Sequence, residues 1–123
     1  MKIDEIVSKL PLVEQEAFYE AAEAYINSMK REKAQVNFMA FVQEMWPGFI
    51  NGAHHKVMAQ KFEDIATGKL KRLIINMPPR HTKSEFASYM LPAWFLGRDP
   101  KKKIIQCSNT AELAVGFGRK VRN

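Results

Sequence analysis

The sequence contains a single cysteine, Cys107, which excludes an internal disulfide and, with no second thiol, a zinc site built on cysteines. Its expected place is that of a small residue in a buried strand. No apolar run approaches the roughly 20 residues needed to cross a bilayer. The opening "MKIDEIVSKLPLVEQEA" is acidic where a secretory leader would be basic and then apolar, so the expectation is a cytosolic protein without a membrane partner. Internal repeats and low-complexity tracts are absent. Acidic residues are scarce late in the chain, where only Glu85, Asp99 and Glu112 follow residue 80.

The 123 residues are 46% apolar, with aromatic residues along most of the length, enough for one domain with a core. The net charge of +6 is unevenly distributed. Through Glu32 there are four Lys/Arg against seven Asp/Glu, and from residue 33 onward fifteen against six. The basic part favours phosphate-bearing partners, although a charge excess is also what a solvated face carries.

Residues 11 to about 35 predict a helix. Pro11 suits a first turn, and two ladders, Val13/Ala17/Ala21/Tyr25/Met29 and Phe18/Ala22/Ile26, make one apolar stripe. A second helix is expected over 36–46, with Phe38, Phe41, Val42 and Met45 at helical spacing and "WPG" as its breaker. A third is expected over 53–67, closed by Gly68. The pattern then changes. "KLKRLIINM" suits a buried parallel strand at 73–76, and "KSEFASYMLPAWFL" a helix that Pro92 kinks or ends. "GRDP" is a turn and "KKKIIQCSN" a second strand. Asn109, with Glu112 three residues on, predicts the cap of a last helix through Val121. Strand, loop, helix, strand and helix make one βαβ unit and the start of the next. The predicted class is α/β: N-terminal helices, then the first βαβ part of a parallel three-layer sheet, incomplete.

The stretch "NMPPRHTKSE" joins the first predicted strand to a helix. Against the phosphate-loop pattern G-x-x-x-x-G-K-[ST], Met77 and Thr82 stand where the two glycines belong, so the bare pattern fails. A polar corner between packed elements is one reading. The other is physical: a phosphate loop needs a strand to anchor its start, inward backbone N–H groups and a helix N-terminus facing the anion, and all three are expected here. Lys83 would reach the outer phosphates, Ser84 would offer its hydroxyl to Mg²⁺, and Arg80 would add a cation. Pro78 and Pro79 stiffen the entry in place of glycine freedom. Thr82 then has to accept an unfavourable backbone geometry, or the loop is wider. Arg80 could instead pair with a carboxylate. His54 and His55 read as surface or helix-capping residues rather than metal ligands, since no third ligand stands at a suitable spacing.

"INMPPRHTKSE" resembles the deviant Walker A of the large terminase subunits of tailed bacteriophages, the DNA-packaging ATPases, in which Pro-Pro-Arg-His leads into Gly-Lys-Ser. "HHKVMAQKFEDIATGKLKRLIINMPPRHTKSEFAS", "LPAWFLGRDPKKKIIQCSN" and "AELAVGFGRKVRN" resemble the flanks in that family, from about residue 46 to the end. Thr82 departs from the usual glycine. The resemblance implies a helical segment over 1–35 and the N-terminal part of a P-loop ATPase domain over 36–123, with Walker A at 77–84 and no Walker B. It implies ATP and Mg²⁺ as cofactors, held by Pro78, Pro79, Arg80, His81, Thr82, Lys83, Ser84 and Glu85. Lys83 and Arg80 would be catalytic, Ser84 the Mg²⁺ contact through ATP, and His55 a residue near the adenine side. Implied partners are double-stranded DNA, a small terminase subunit, a portal protein and further copies in a ring, in the cytoplasm of an infected or prophage-carrying cell. A C-terminal nuclease would belong to the full-length protein.

Two other classes fit the residues: a helicase-like or other nucleic-acid-dependent P-loop ATPase, and a non-enzymatic basic α/β interaction module docking through "GRKVRN". Residues 101–103 and 119–122 could face DNA, or the lysines could keep an exposed strand entrance in water. None of Glu85, Asp99 and Glu112 ends an apolar strand. A carboxylate to hold Mg²⁺ and orient water is therefore missing, and this chain is expected to be inactive by itself in hydrolysis.

Overall fold

The computed structural model describes residues 2–123. A short helix α1 (Ile3–Val7) precedes the long α2 (Leu12–Val36). Pro11 sits immediately ahead of α2, and Gln15 Nε2 donates to Leu10 C=O at 2.7 Å, which fastens the chain at the helix entrance. Asn37 then does two jobs. Its extended backbone ends α2, and its Oδ1 accepts from Ala40 N–H at 2.7 Å to cap α3 (Phe38–Met45). A second acceptor at the same helix start, Glu63 Oε1, lies 2.9 Å from Phe38 N and places negative charge where the α3 dipole is positive. The helix expected over 36–46 is thus trimmed at both ends.

The "WPG" breaker forms a turn closed by Phe49 N–H to Trp46 C=O at 3.1 Å, with Gly48 at φ 79. Helix α4 (Ala53–Ala66) follows and stops, as expected, beside Gly68 at φ 79. From Lys83 the chain is helical again. It widens into a π-helical segment (Glu85–Met90) that runs into α5 (Leu91–Arg98), and α6 (Ala111–Arg122) closes the chain.

Phe38 organises the core. Its ring meets Phe62, Phe86 and Trp94 edge to face, at centroid distances of 5.2, 5.5 and 5.4 Å, so α3, α4, the π segment and α5 share one aromatic cluster. Val42, Met58, Ala59 and Met90 complete it. Trp94 Nε1 donates to Ala34 C=O at 2.8 Å and ties the end of α2 to this cluster. Pro92, which lacks an N–H, stands in the first turn of α5, where the π segment hands over to it and a missing donor is tolerated, so the helix passes through the proline instead of ending there. Gln106 Nε2 donates to Ser88 C=O at 2.6 Å one turn earlier.

The α/β expectation is overturned: among the described residues there is no strand and no sheet. A strand exists only through a neighbour that accepts and donates along it. Neither 73–76 nor 103–107 makes a backbone hydrogen bond to another segment. Leu73, Ile75 and Met77 rest one face on the helical core, while Ile74 is 86% exposed. The apolar run therefore signalled burial on helices, not pairing. Cys107 is exposed rather than buried. The last helix is capped by Thr110, whose Oγ1 accepts from Leu113 N–H at 3.3 Å, and not by Asn109. The stripe on α2 faces outward: of the two ladders only Ala22 is even half-buried. Among the described residues no helix is long and apolar enough to cross a membrane.

Candidate functional site

Met77 packs against the core and anchors the start of the loop. Beyond Pro78 and Pro79 the backbone takes an unusual course, with Arg80 at φ 63 and Thr82 at φ 60. Left-handed backbone is free for glycine, but a β-branched residue held there costs about 1–3 kcal/mol. Thr82 occupies the second glycine position of the phosphate-loop pattern and adopts the conformation that glycine would supply.

The side chain of Thr82 is held by its neighbours. Gly52 N–H donates to His55 Nδ1 at 2.9 Å, which leaves the ring proton on Nε2. His55 Nε2–H then donates to Thr82 Oγ1 at 2.6 Å, and the Thr82 hydroxyl donates to His81 C=O, also at 2.6 Å. His55 sits at the third position of α4, where a Glu or Gln would reach back to the cap N–H in a capping box. It is 6% exposed, and its ring centroid lies 4.8 Å from Phe49 and 5.0 Å from Phe86. Burial, and next the charge of His54 at 3.8 Å between centroids, holds its pKa below the usual 6.5.

Lys83 and Ser84 form the first helical turn. The first helical bond there is Phe86 N–H to Thr82 C=O at 2.9 Å, so the amides of Lys83, Ser84 and Glu85 lie ahead of it and are open to an acceptor. The Ser84 hydroxyl makes no capping bond. Among the described residues neither Lys83 nor Arg80 is in an ion pair, so the carboxylate partner considered for Arg80 is not found. Glu85 pairs with Lys120 of α6 at 3.0 Å. His81 Nδ1 bonds Pro79 C=O at 2.9 Å, and its ring stands 6.0 Å from that of His54. A cavity of about 420 Å³ is lined by residues 77–80 and 82–85, within the size range of small-ligand sites.

The loop residues singled out in the sequence thus line or flank one cavity, and His55 joins them from beneath across 27 positions, in contact with Thr82. Sequence reasoning missed the gathering of all three histidines and the Glu85 to Lys120 tie. A histidine at the third position of a helix behind a glycine cap was the available signal for the first. Among the described residues no group of three or more His, Cys, Asp or Glu is placed to hold a metal ion. No family model, curated protein or solved structure matches the chain.

Proposed function

We propose that the loop at 77–85 binds the phosphates of Mg-ATP, and that the chain is the nucleotide-binding part of a DNA-packaging motor of the terminase type. The observation that carries this is the left-handed pair Arg80 and Thr82, immediately before three open amides at a helix start. Such a turn aims N–H groups into one concavity, which is the way a protein cradles an anion. Lys83 would neutralise the outer phosphates, Arg80 would offset charge gathering on the transferred group, and Ser84 would share Mg²⁺ with the phosphates. Mg-ATP, when bound, supplies the phosphoryl group; the chain's residues hold and orient it. The strand expected ahead of this loop is absent among the described residues, and Met77, packed against the helical core, holds the start of the loop in its place. Support for the DNA partner is the likeness of "INMPPRHTKSE" to the packaging ATPases and the basic excess beyond residue 33.

Titration calorimetry with Mg-ATP tests the assignment. Lys83→Ala should weaken binding at least about tenfold while the circular dichroism spectrum stays unchanged, the size expected for one lost charge-assisted contact. Equal affinity of the variant and the wild type would overturn it. Multiple turnover is not expected in a phosphate-release assay, with or without duplex DNA. Glu85 is committed to Lys120, Asp99 Oδ1 accepts from Lys101 N–H, and Glu112 lies in the first turn of α6. Lysine-dependent turnover would require a water-orienting carboxylate among these residues after all.

A further inference from the structure

Thr82 stands at the second glycine position of the phosphate-loop pattern, and among the described residues it is also the one loop residue hydrogen-bonded to a buried side chain of a helix. We propose that His55 is a positioning residue for the loop: its bond to Thr82 Oγ1 holds a residue other than glycine in the left-handed conformation, so threonine serves at this position only while His55 holds it. The role rests on the phosphate-loop assignment.

Three observations make the hold a rigid one. The His55 ring is fixed at one end by Gly52 N–H and at its faces by Phe49 and Phe86, so it cannot swing away from the loop without leaving the core. Helix α4, which carries it, is itself seated by Met58, Ala59 and Phe62. The Thr82 hydroxyl accepts from His55 and gives its one proton to His81 C=O, so its rotamer and the backbone on both sides of it are set together. The hydroxyl is what matters here, since valine fills the same volume and can make neither bond. Loss of the His55 donor would release the strained backbone at Thr82 toward an ordinary conformation and turn the amides of the first helical turn off their common focus. A glycine at 82 has no such strain to hold, and His55 would then be dispensable to the loop.

A double-mutant cycle reads this directly. His55→Phe keeps an aromatic ring among Phe49 and Phe86 but removes the donor, and His55→Gln keeps a donor. Thr82→Gly removes the need for one. Mg-ATP affinity is measured by titration calorimetry in each variant and in the double variant, with thermal unfolding as the control for folding. His55→Phe should weaken binding about tenfold in the threonine background and less than about threefold in the glycine background, with partial recovery in His55→Gln. Equal losses in both backgrounds, or no loss in either, would overturn the proposal. If the wild-type chain does not bind Mg-ATP, the phosphate-site assignment fails by itself and the hold is decided by nuclear magnetic resonance. The His55 ring should show its proton on Nε2, and amide exchange at residues 81–83 should rise in His55→Phe. The opposite tautomer, or unchanged exchange, removes the positioning role whether or not nucleotide binds.

Discussion

Protonating His55 would put a hydrogen on Nδ1, where Gly52 N–H now donates, and would break the bond that fixes the ring at the start of α4, leaving only the Nε2–H donation to Thr82. Burial and the neighbouring His54 already keep the folded pKa below 6.5. The sign follows from linkage. As pH falls below about 6.5 the unfolded chain takes up the proton before the folded one, so the stabilisation is whole above that pH and is lost as pH falls through the lower, folded value. The unfolding temperature should therefore drop between about pH 7 and pH 5, and His55→Phe should flatten that drop. A profile with equal slope in the variant would place the titration elsewhere. At this scale the sequence was only partly informative. The cost of a non-glycine at position 82 could be read from the motif spacing, and so could the placing of Lys83 and Ser84 in a first helical turn. The contact that meets the cost could not, because a side chain 27 positions away leaves no local pattern. His55 was read as a surface or helix-capping residue and, by resemblance, as one near the adenine side; its contact with Thr82 was not foreseen.

Among the elements, what could be read depended on whether the stabilising partner lay nearby in the chain. Helices α2, α3 and α4 declared themselves through spacing, Pro11, "WPG" and Gly68, which are all local devices. Pro92 was also visible, but its place in the first turn of a new helix joined to a π segment was not. Gln106, from a segment read as a strand, instead donates to the Ser88 carbonyl. The two predicted strands failed for the converse reason: β-branched apolar residues report a preference for a half-buried extended backbone, while pairing depends on a neighbour they do not encode. One long-range bond now matters at the other end of the chain. Trp94 Nε1 meets the Ala34 carbonyl in the core and holds α2 to the rest, where Ala34 is its one buried residue. Trp94→Phe deletes that donor and leaves the carbonyl unpaired, so urea unfolding should show a loss of about 2–3 kcal/mol. Hydrogen exchange should accelerate first in the last turns of α2. A loss spread evenly over α3, α4 and α5 would mean that the indole acts by volume alone.

Across the whole molecule, two groups among the exposed apolar side chains bear on self-association. One is the outward stripe of α2. The other is formed by the extended runs around Ile74 and Ile105, which are 86% and 90% exposed and belong to segments whose backbone groups pair with no other segment. The second kind has the stronger tendency to self-associate, because it offers apolar side chains and open backbone donors and acceptors together, the features of an unprotected sheet edge. The net charge of +6 opposes association at low salt, and screening weakens that opposition. Light scattering should therefore show mass rising with protein concentration, more steeply at about 0.5 M salt than at about 0.05 M. Ile74→Lys combined with Ile105→Lys places charge on both runs without emptying the core, since neither side chain contributes to it. The double variant should stay monomeric over the same range with an unchanged unfolding temperature. Association equal to that of the wild type would move the contact to α2, where Ile26→Lys, at a side chain 52% exposed, should then be the substitution that abolishes it.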